Sequence, residues 1–272
     1  MDWITGEKFQ AIADYAYAPA QKHQDDYYDL VNTFDVELLK DKDIIFTYPF
    51  YVKQLFDIIK QTDKKLIIIT HNGDENIDES YELPDNVIKW YAQNVNVRNP
   101  RIESIPIGLE NERWFQFAHK KEKMLAKVRE PRLHKNLAYM NFNVGNNPEK
   151  RVTPYRLFRF KSWVTVDMGI NGYNFDNYID NIYNHSFVIC PEGHGMDTHR
   201  IWETLYMGSI PIVENNINNQ FYTHLPIFPV NDWREVTDER LQSILSNSDF
   251  DYLKWRDTLT FEYWKNKIKD CR

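Results

Sequence analysis

The chain has 272 residues, 42% hydrophobic and 27% charged, and its 33 Lys+Arg against 40 Asp+Glu leave a formal net charge of -7 at pH 7. That length buries one large core or two smaller ones, and the composition excludes a disordered chain. The acidic balance argues against an electrostatically driven nucleic-acid or membrane-surface binder, although a local basic pocket stays open. Aromatic residues, 15% of the chain, supply rings for the core and for stacking on sugars or bases. The opening MDWITGEKFQ lacks a basic then apolar leader, and no stretch reaches the ~20 apolar residues that span a bilayer. A soluble, cytoplasmic protein without a membrane span is therefore expected. Cys190 and Cys271 encode no disulfide framework.

Strand and helix patterns alternate along the chain. Residues 43–49 (DIIFTYP) predict a buried strand, 51–61 a helix with apolar residues at helical spacing, and 65–70 (KLIIIT) a second strand. Such a βαβ unit implies a parallel sheet. A polar loop at 71–74, a short helix after Pro84 and a strand over 104–108 complete the first half. Residues 119–135 are rich in charge and broken by Pro131, and mark a domain boundary. Beyond it the alternation restarts: strand 137–144, turn 145–148, helix 153–160, strand 163–167, helix 174–184, strand 186–190, a glycine loop, helix 199–207 and strand 209–213. The expected division is residues 1–125 as an acceptor-side domain, 126–258 as a nucleotide-sugar-binding domain, and 259–272 as a final helix crossing back to the first.

In open parallel sheets ligands sit beyond the carboxyl ends of strands, so loops that follow strands hold the candidate site residues. The richest is residues 190–208, CPEGHGMDTHRIWETLYMG, where a strand runs through Glu192, Gly193 and Gly195 into a helix that Asp197 or Thr198 can cap. Glycines let the backbone approach a ligand, and the helix amino end offers unpaired N–H groups to a phosphate. Arg200 and Glu203 share a helix face with His199, suited to gripping a diphosphate and accepting ribose hydroxyls. An Arg–Glu pair on a solvated face is the plainer alternative. His194, Asp197 and His199 also admit a metal site, for which no second cluster completes the ligand set. After the strand at 137–144, Arg151 and Arg156 are further phosphate candidates, or else surface charge beside an ordinary Asn-Gly turn. After the strand at 65–70, His71 and Asp74 lie where a general base would face a ligand, or else form an ordinary turn. The acidic pair Asp249 and Asp251 suggests a helix cap. No GxGxxG, GxxxxGK[ST], CxxC or GxSxG pattern occurs, so a nicotinamide enzyme, P-loop ATPase or serine hydrolase has no support.

Residues 186–213, SFVICPEGHGMDTHRIWETLYMGSIPIV, resemble the donor-binding segment of exostosin-like glycosyltransferases: an apolar strand, Pro, a glycine pair, Asp-x-His-Arg, Trp-Glu, Gly and an Ile-Pro-Ile-Val strand. The resemblance implies a GT-B fold, an α/β architecture of two facing Rossmann-like domains with the active site in the cleft between them. It implies inverting transfer from a nucleotide sugar, most often a UDP-sugar, onto a hydroxyl of a glycan acceptor. By motif position Arg200 binds donor phosphate, Glu203 binds ribose and His199 lies nearby. No metal or other cofactor is expected, and no nucleic-acid partner. The chain is short for the family and lacks its amino-terminal membrane helix, which resembles the small soluble members of viruses, phages and bacteria. Host cytoplasm is the expected compartment for a viral member. Xylose is a donor sugar of the viral branch and makes the chain a candidate xylosyltransferase. The base does not transfer from a matched motif; Asp74, with His71 as substitute, is taken from position alone. A non-catalytic nucleotide- or glycan-binding module, or a metal-dependent hydrolase using His194, Asp197 and His199, are the competing expectations.

Overall fold

The computed structural model describes residues 2–19, 32–112, 117–131, 136–167, 174–247 and 255–272. It is mixed α/β with two parallel sheets of five strands each, consistent with two Rossmann-like units. The first sheet sets β1 (Tyr15–Tyr17), β2 (Ile44–Thr47), β3 (Leu66–Thr70), β4 (Val87–Ala92) and β5 (Ile102–Ser104) side by side in chain order. The second comprises β6 (Asn136–Met140), β7 (Val164–Val166), β8 (His185–Ile189), β9 (Ile210–Glu214) and β10 (Phe228–Val230), in the order β10-β9-β8-β6-β7. Its chain therefore steps outward from β6 to β7 and returns on the other side of β6 to make β8. Helices α1 (Gly6–Ala11), α2 (Val52–Ile59), α3 (Phe117–Lys127), α4 (Pro148–Phe158), α5 (Phe175–Asn184), α6 (His199–Tyr206), α7 (Ile217–Gln220), α8 (Asp238–Asn247) and α9 (Phe261–Lys269) surround them. None of the described helices is long and apolar enough to cross a membrane.

Successive strand residues point to opposite faces, and that alternation divides the interior into three layers. Ile45, Leu66, Ile68, Trp90 and Ala92 face outward from the first sheet onto Val52, Leu55, Phe56 and Ile59 of α2. Ala138, Met140, Phe187, Ile189 and Ile212 face outward from the second sheet onto Phe158 of α4 and Leu241 of α8. The residues between them join one shared core: Phe46, Ile67, Ile69 and Tyr91 from the first sheet, Tyr139, Val188 and Val213 from the second, and Ile179, Trp202, Leu205 and Trp264 from α5, α6 and α9. Helix α9 lies against the first half, where Tyr91 Oη donates to the Lys267 carbonyl at 3.2 Å and Lys267 pairs with Glu103, while Trp264 meets Tyr222 edge-on.

Four local expectations change. The segment after Pro84 is strand β4, not a helix: the run Val-Ile-Lys-Trp-Tyr-Ala is β-branched and aromatic, and Trp90 and Tyr91 enter cores on opposite faces of the sheet. The strand expected at 104–108 ends at Ser104, because Pro106 has no N–H for a ladder and Gly108 adopts φ 67°. The charged stretch at 119–135 is largely helix α3, with residue 125 inside it; Lys123 and Lys127 reach Asp180 of α5 at 3.4 and 3.0 Å. Helix α4 begins at Pro148 instead of residue 153. Residues 132–135 of the charged stretch, and Asp249 and Asp251, lie outside the described residues.

Candidate active site

The strand order of the second sheet reverses between β6 and β8, and the carboxyl ends of strands at such a switch are where open α/β sheets bind ligands. Two segments meet there. After β6 the chain turns at Asn143, whose side chain accepts from Gly145 N–H, and enters α4 under an Asn147 cap. After β8 it passes through Glu192, Gly193 and Gly195 into α6. Asn147 ties the two: its Oδ1 accepts from Lys150 N–H at 3.2 Å, and its Nδ2 donates to the Gly193 carbonyl at 2.6 Å.

Arg151, on the first turn of α4, is 5% exposed. Its Nε donates to the Glu192 carbonyl and its Nη1 to the Asn143 carbonyl, both at 2.8 Å. Its Nη2 points along the glycine loop, so that a Cβ at Gly193 would stand 3.1 Å from it. Among the described residues no carboxylate pairs with this guanidinium. Burial, and then the nearby Arg200 guanidinium, hold its pKa down at about 10. Arg200 on α6 is thus close enough to Arg151 for the two positive charges to influence each other. On α6, Glu203 accepts from Tyr178 Oη at 2.6 Å, and the Arg200 guanidinium lies 6.0 Å from the Tyr178 ring centroid. Cys190 is buried beside these groups and its thiol is pushed up to about 12, which keeps it protonated and inert.

A family model described as the RXYLT1 C-terminal domain matches residues 170–238. This segment is glycosyltransferase-like. The match takes in α5, β8, the glycine loop, α6, β9 and β10, hence Arg200, Glu203 and the whole 190–208 loop and helix. Arg151, His71 and Asp74 lie outside it. No curated protein matches the chain.

The loops after β3 and β5 of the first sheet face this site. Asp74 is 65% exposed at its side chain, with its Oδ2 3.9 Å from Nδ1 of His194 across the gap. His71 is 1% exposed: its Nδ1 accepts from Asn72 N–H at 2.7 Å and its Nε2 lies 3.0 Å from the Pro106 carbonyl. Burial pushes its pKa down to about 4, so the ring is neutral and serves to hold the loop that carries Asp74. His199 bridges the halves through Nδ1 to the Gly108 carbonyl at 2.8 Å.

The three residues of the alternative metal reading, His194, Asp197 and His199, are engaged separately. Asp197 spends both oxygens inside the protein, Oδ2 accepting from Ile107 N–H at 2.7 Å and Oδ1 from Trp202 Nε1 at 2.9 Å. His194 points to Asp74 and His199 to Gly108, so the three side chains do not converge. No group of three or more His, Cys, Asp or Glu able to hold a metal occurs among the described residues. Nor does Asp197 cap α6; the cap position is Thr198, without a side-chain bond. Arg156 is exposed, and five residues beyond Arg151 it sits roughly 140° further round α4. Gly195 is needed for a neighbour within the fold: a Cβ there would come within 2.5 Å of Asn94 Nδ2.

One cluster went unread in the sequence. Lys150 Nζ lies 3.2 Å from Glu192 and 3.6 Å from Glu214, and Asn216 Nδ2 donates to Glu192 Oε1 at 2.7 Å. Burial, then Glu192, push Glu214 up to about 7 against the opposing pull of Lys150. The signal available was position: Glu214 ends the strand that follows α6, beside the loop already singled out.

Proposed function

We propose that the chain is a GT-B glycosyltransferase that moves a sugar from a UDP-sugar, with UDP-xylose the first donor to test, onto a hydroxyl of a glycan acceptor. The observation that carries this reading is Arg151, buried and paired with no carboxylate among the described residues, next to Arg200 where the strand order of the second sheet reverses. The glycosyltransferase-like match over the adjoining segment agrees with it. The diphosphate sits between the two guanidiniums at the amino end of α6, where the helix dipole adds to them. As the glycosidic bond breaks, negative charge grows on the leaving phosphate, and these fixed cations offset it without a metal. Glu203, oriented by Tyr178, accepts the ribose hydroxyls. The first sheet supplies the acceptor side, from which Asp74 removes the proton of the attacking hydroxyl. Displacement of the leaving diphosphate from the opposite face inverts the anomeric carbon.

The test is the melting temperature against UDP, GDP, CMP and their sugar conjugates, with and without chelator, in the wild type and in Arg200→Ala. A ligand bound only by the folded state raises the melting point according to its affinity. The expected result is a chelator-insensitive rise with UDP compounds. Arg200→Ala should weaken UDP by about tenfold or more, the worth of a charged hydrogen bond. No rise with any nucleotide, or an unchanged UDP response in the variant, rejects the donor site.

A further inference from the structure

A cavity lies away from this site. It occupies about 430 Å³ and opens on the outer side of the second sheet, between the end of α4, the segment that leads into β7, and residues 233–239 before and within α8. Phe158, which forms part of its wall, is seven residues down α4 from Arg151, or ~10 Å along the helix. The volume falls in the roughly 300–1,000 Å³ range of small-molecule pockets.

Its lining joins Trp163 and Trp233 to Leu157, Phe158 and Val236, with a rim of mixed polarity. Trp163 is half-buried and Trp233 is 6% exposed. Phe158 braces both, with ring centroids 5.8 and 6.3 Å away. The Trp233 Nε1–H is buried and has no hydrogen-bond partner among the described residues. Around the mouth stand Lys161, Arg234, Thr237, Asp238 and Glu239, so donors and acceptors of both signs alternate. Arg234 is already held by Asp232 at 2.8 Å, which leaves no paired cationic fork for a phosphate.

We propose that this cavity binds one or two sugar rings of a glycan at a site separate from the donor crevice. Pyranose rings present apolar C–H faces to stack on an indole and hydroxyls at their edges that both donate and accept. That combination fits two tryptophans inside a rim of both charges better than a nucleotide, which needs an anion cradle, or an apolar peptide, which leaves the rim unpaired. Such a site holds a distant part of a long acceptor, or of the product, against the enzyme while the crevice is occupied. It is independent of the donor assignment, since none of its lining residues is used there.

The experiment is an indole N–H correlation spectrum of the full chain saturated with UDP, titrated with xylobiose, cellobiose and lactose. Trp163→Phe and Trp233→Phe assign the two signals, each retaining an aromatic ring. The expected result is that at least one disaccharide moves both signals saturably in the millimolar range, that Trp163→Ala weakens the effect about tenfold, and that Arg200→Ala leaves it unchanged. No movement of either signal with any of the three, or movement confined to other tryptophans, overturns the proposal. Donor consumption is not read at any point, so failure here is distinct from failure of the transferase reading.

Discussion

Asp74 and Glu214 carry the sharpest predictions at the residue scale. Asp74 is exposed in the loop after β3 and faces the glycine loop, with no structural bond that its carboxylate must keep. Asp74→Asn should therefore lower turnover about 100-fold or more, the usual worth of a general base, and leave the UDP-induced rise in melting temperature intact. Near-normal turnover removes Asp74 from the mechanism. Glu214 is raised to about 7 from an ordinary 4.5, so between those values the folded chain holds a proton that the unfolded chain releases. Folding is then favoured below about pH 4.5 by this group, and that share is lost as pH rises to 7. Asp197, also raised to about 7 by burial, acts in the same direction. Melting temperatures of Glu214→Gln between pH 5 and 8 should fall less steeply than those of the wild type; an equal slope assigns the effect to other groups. The placement of Arg200 and Glu203 on one helix after the glycine loop was legible because it depends on local spacing alone. That Arg151 of α4, Glu214 of β9 and Asn94 beyond β4 all come to the glycine loop and its flanks was not, because they arrive from separate elements and nothing in the local pattern states that they meet.

At the scale of elements, the two candidate starts of α4 show why boundaries are harder to read than the elements themselves. Asn147-Pro148 and Thr153-Pro154 are both a capping residue followed by proline, and either can open a helix. The chain uses the first and carries Pro154 inside the helix. The gain is Asn147, which caps α4 and holds the glycine loop through the Gly193 carbonyl at 2.6 Å. Asn147→Ala should cost about 1 kcal/mol for the cap, a drop of a few degrees in melting temperature, and should also weaken UDP. A stability loss with no change in UDP affinity separates the loop from the donor site. The strand β4 was misread for a related reason: a short apolar run after a proline has no clear period, and only burial on both faces of a sheet settles it.

For the whole molecule, the alternation of strands and helices in sequence announced two α/β halves but not how they join. The join is extensive and polar as well as apolar. Asn218, fully buried on α7, accepts from Val95 N–H and Ser104 Oγ; Asp197 N–H donates to Asn94 Oδ1; Tyr206 Oη accepts from Ile4 N–H. The long-range pairs that build this junction leave no periodic trace in the sequence. Because both sheets bury one face in the same core, calorimetry should show a single cooperative unfolding transition. Two resolved transitions would mean that the halves unfold independently.

The shared core also bears on how the chain is made. A ribosome releases the first sheet while α9, which packs on it through Tyr91 and Glu103, is still to be translated. Until then Tyr91 and its neighbours in the shared core lack the partners that α9 brings, Trp264 among them. The last helix to emerge completes the packing of the first sheet to be translated, so the two ends of the chain close one core.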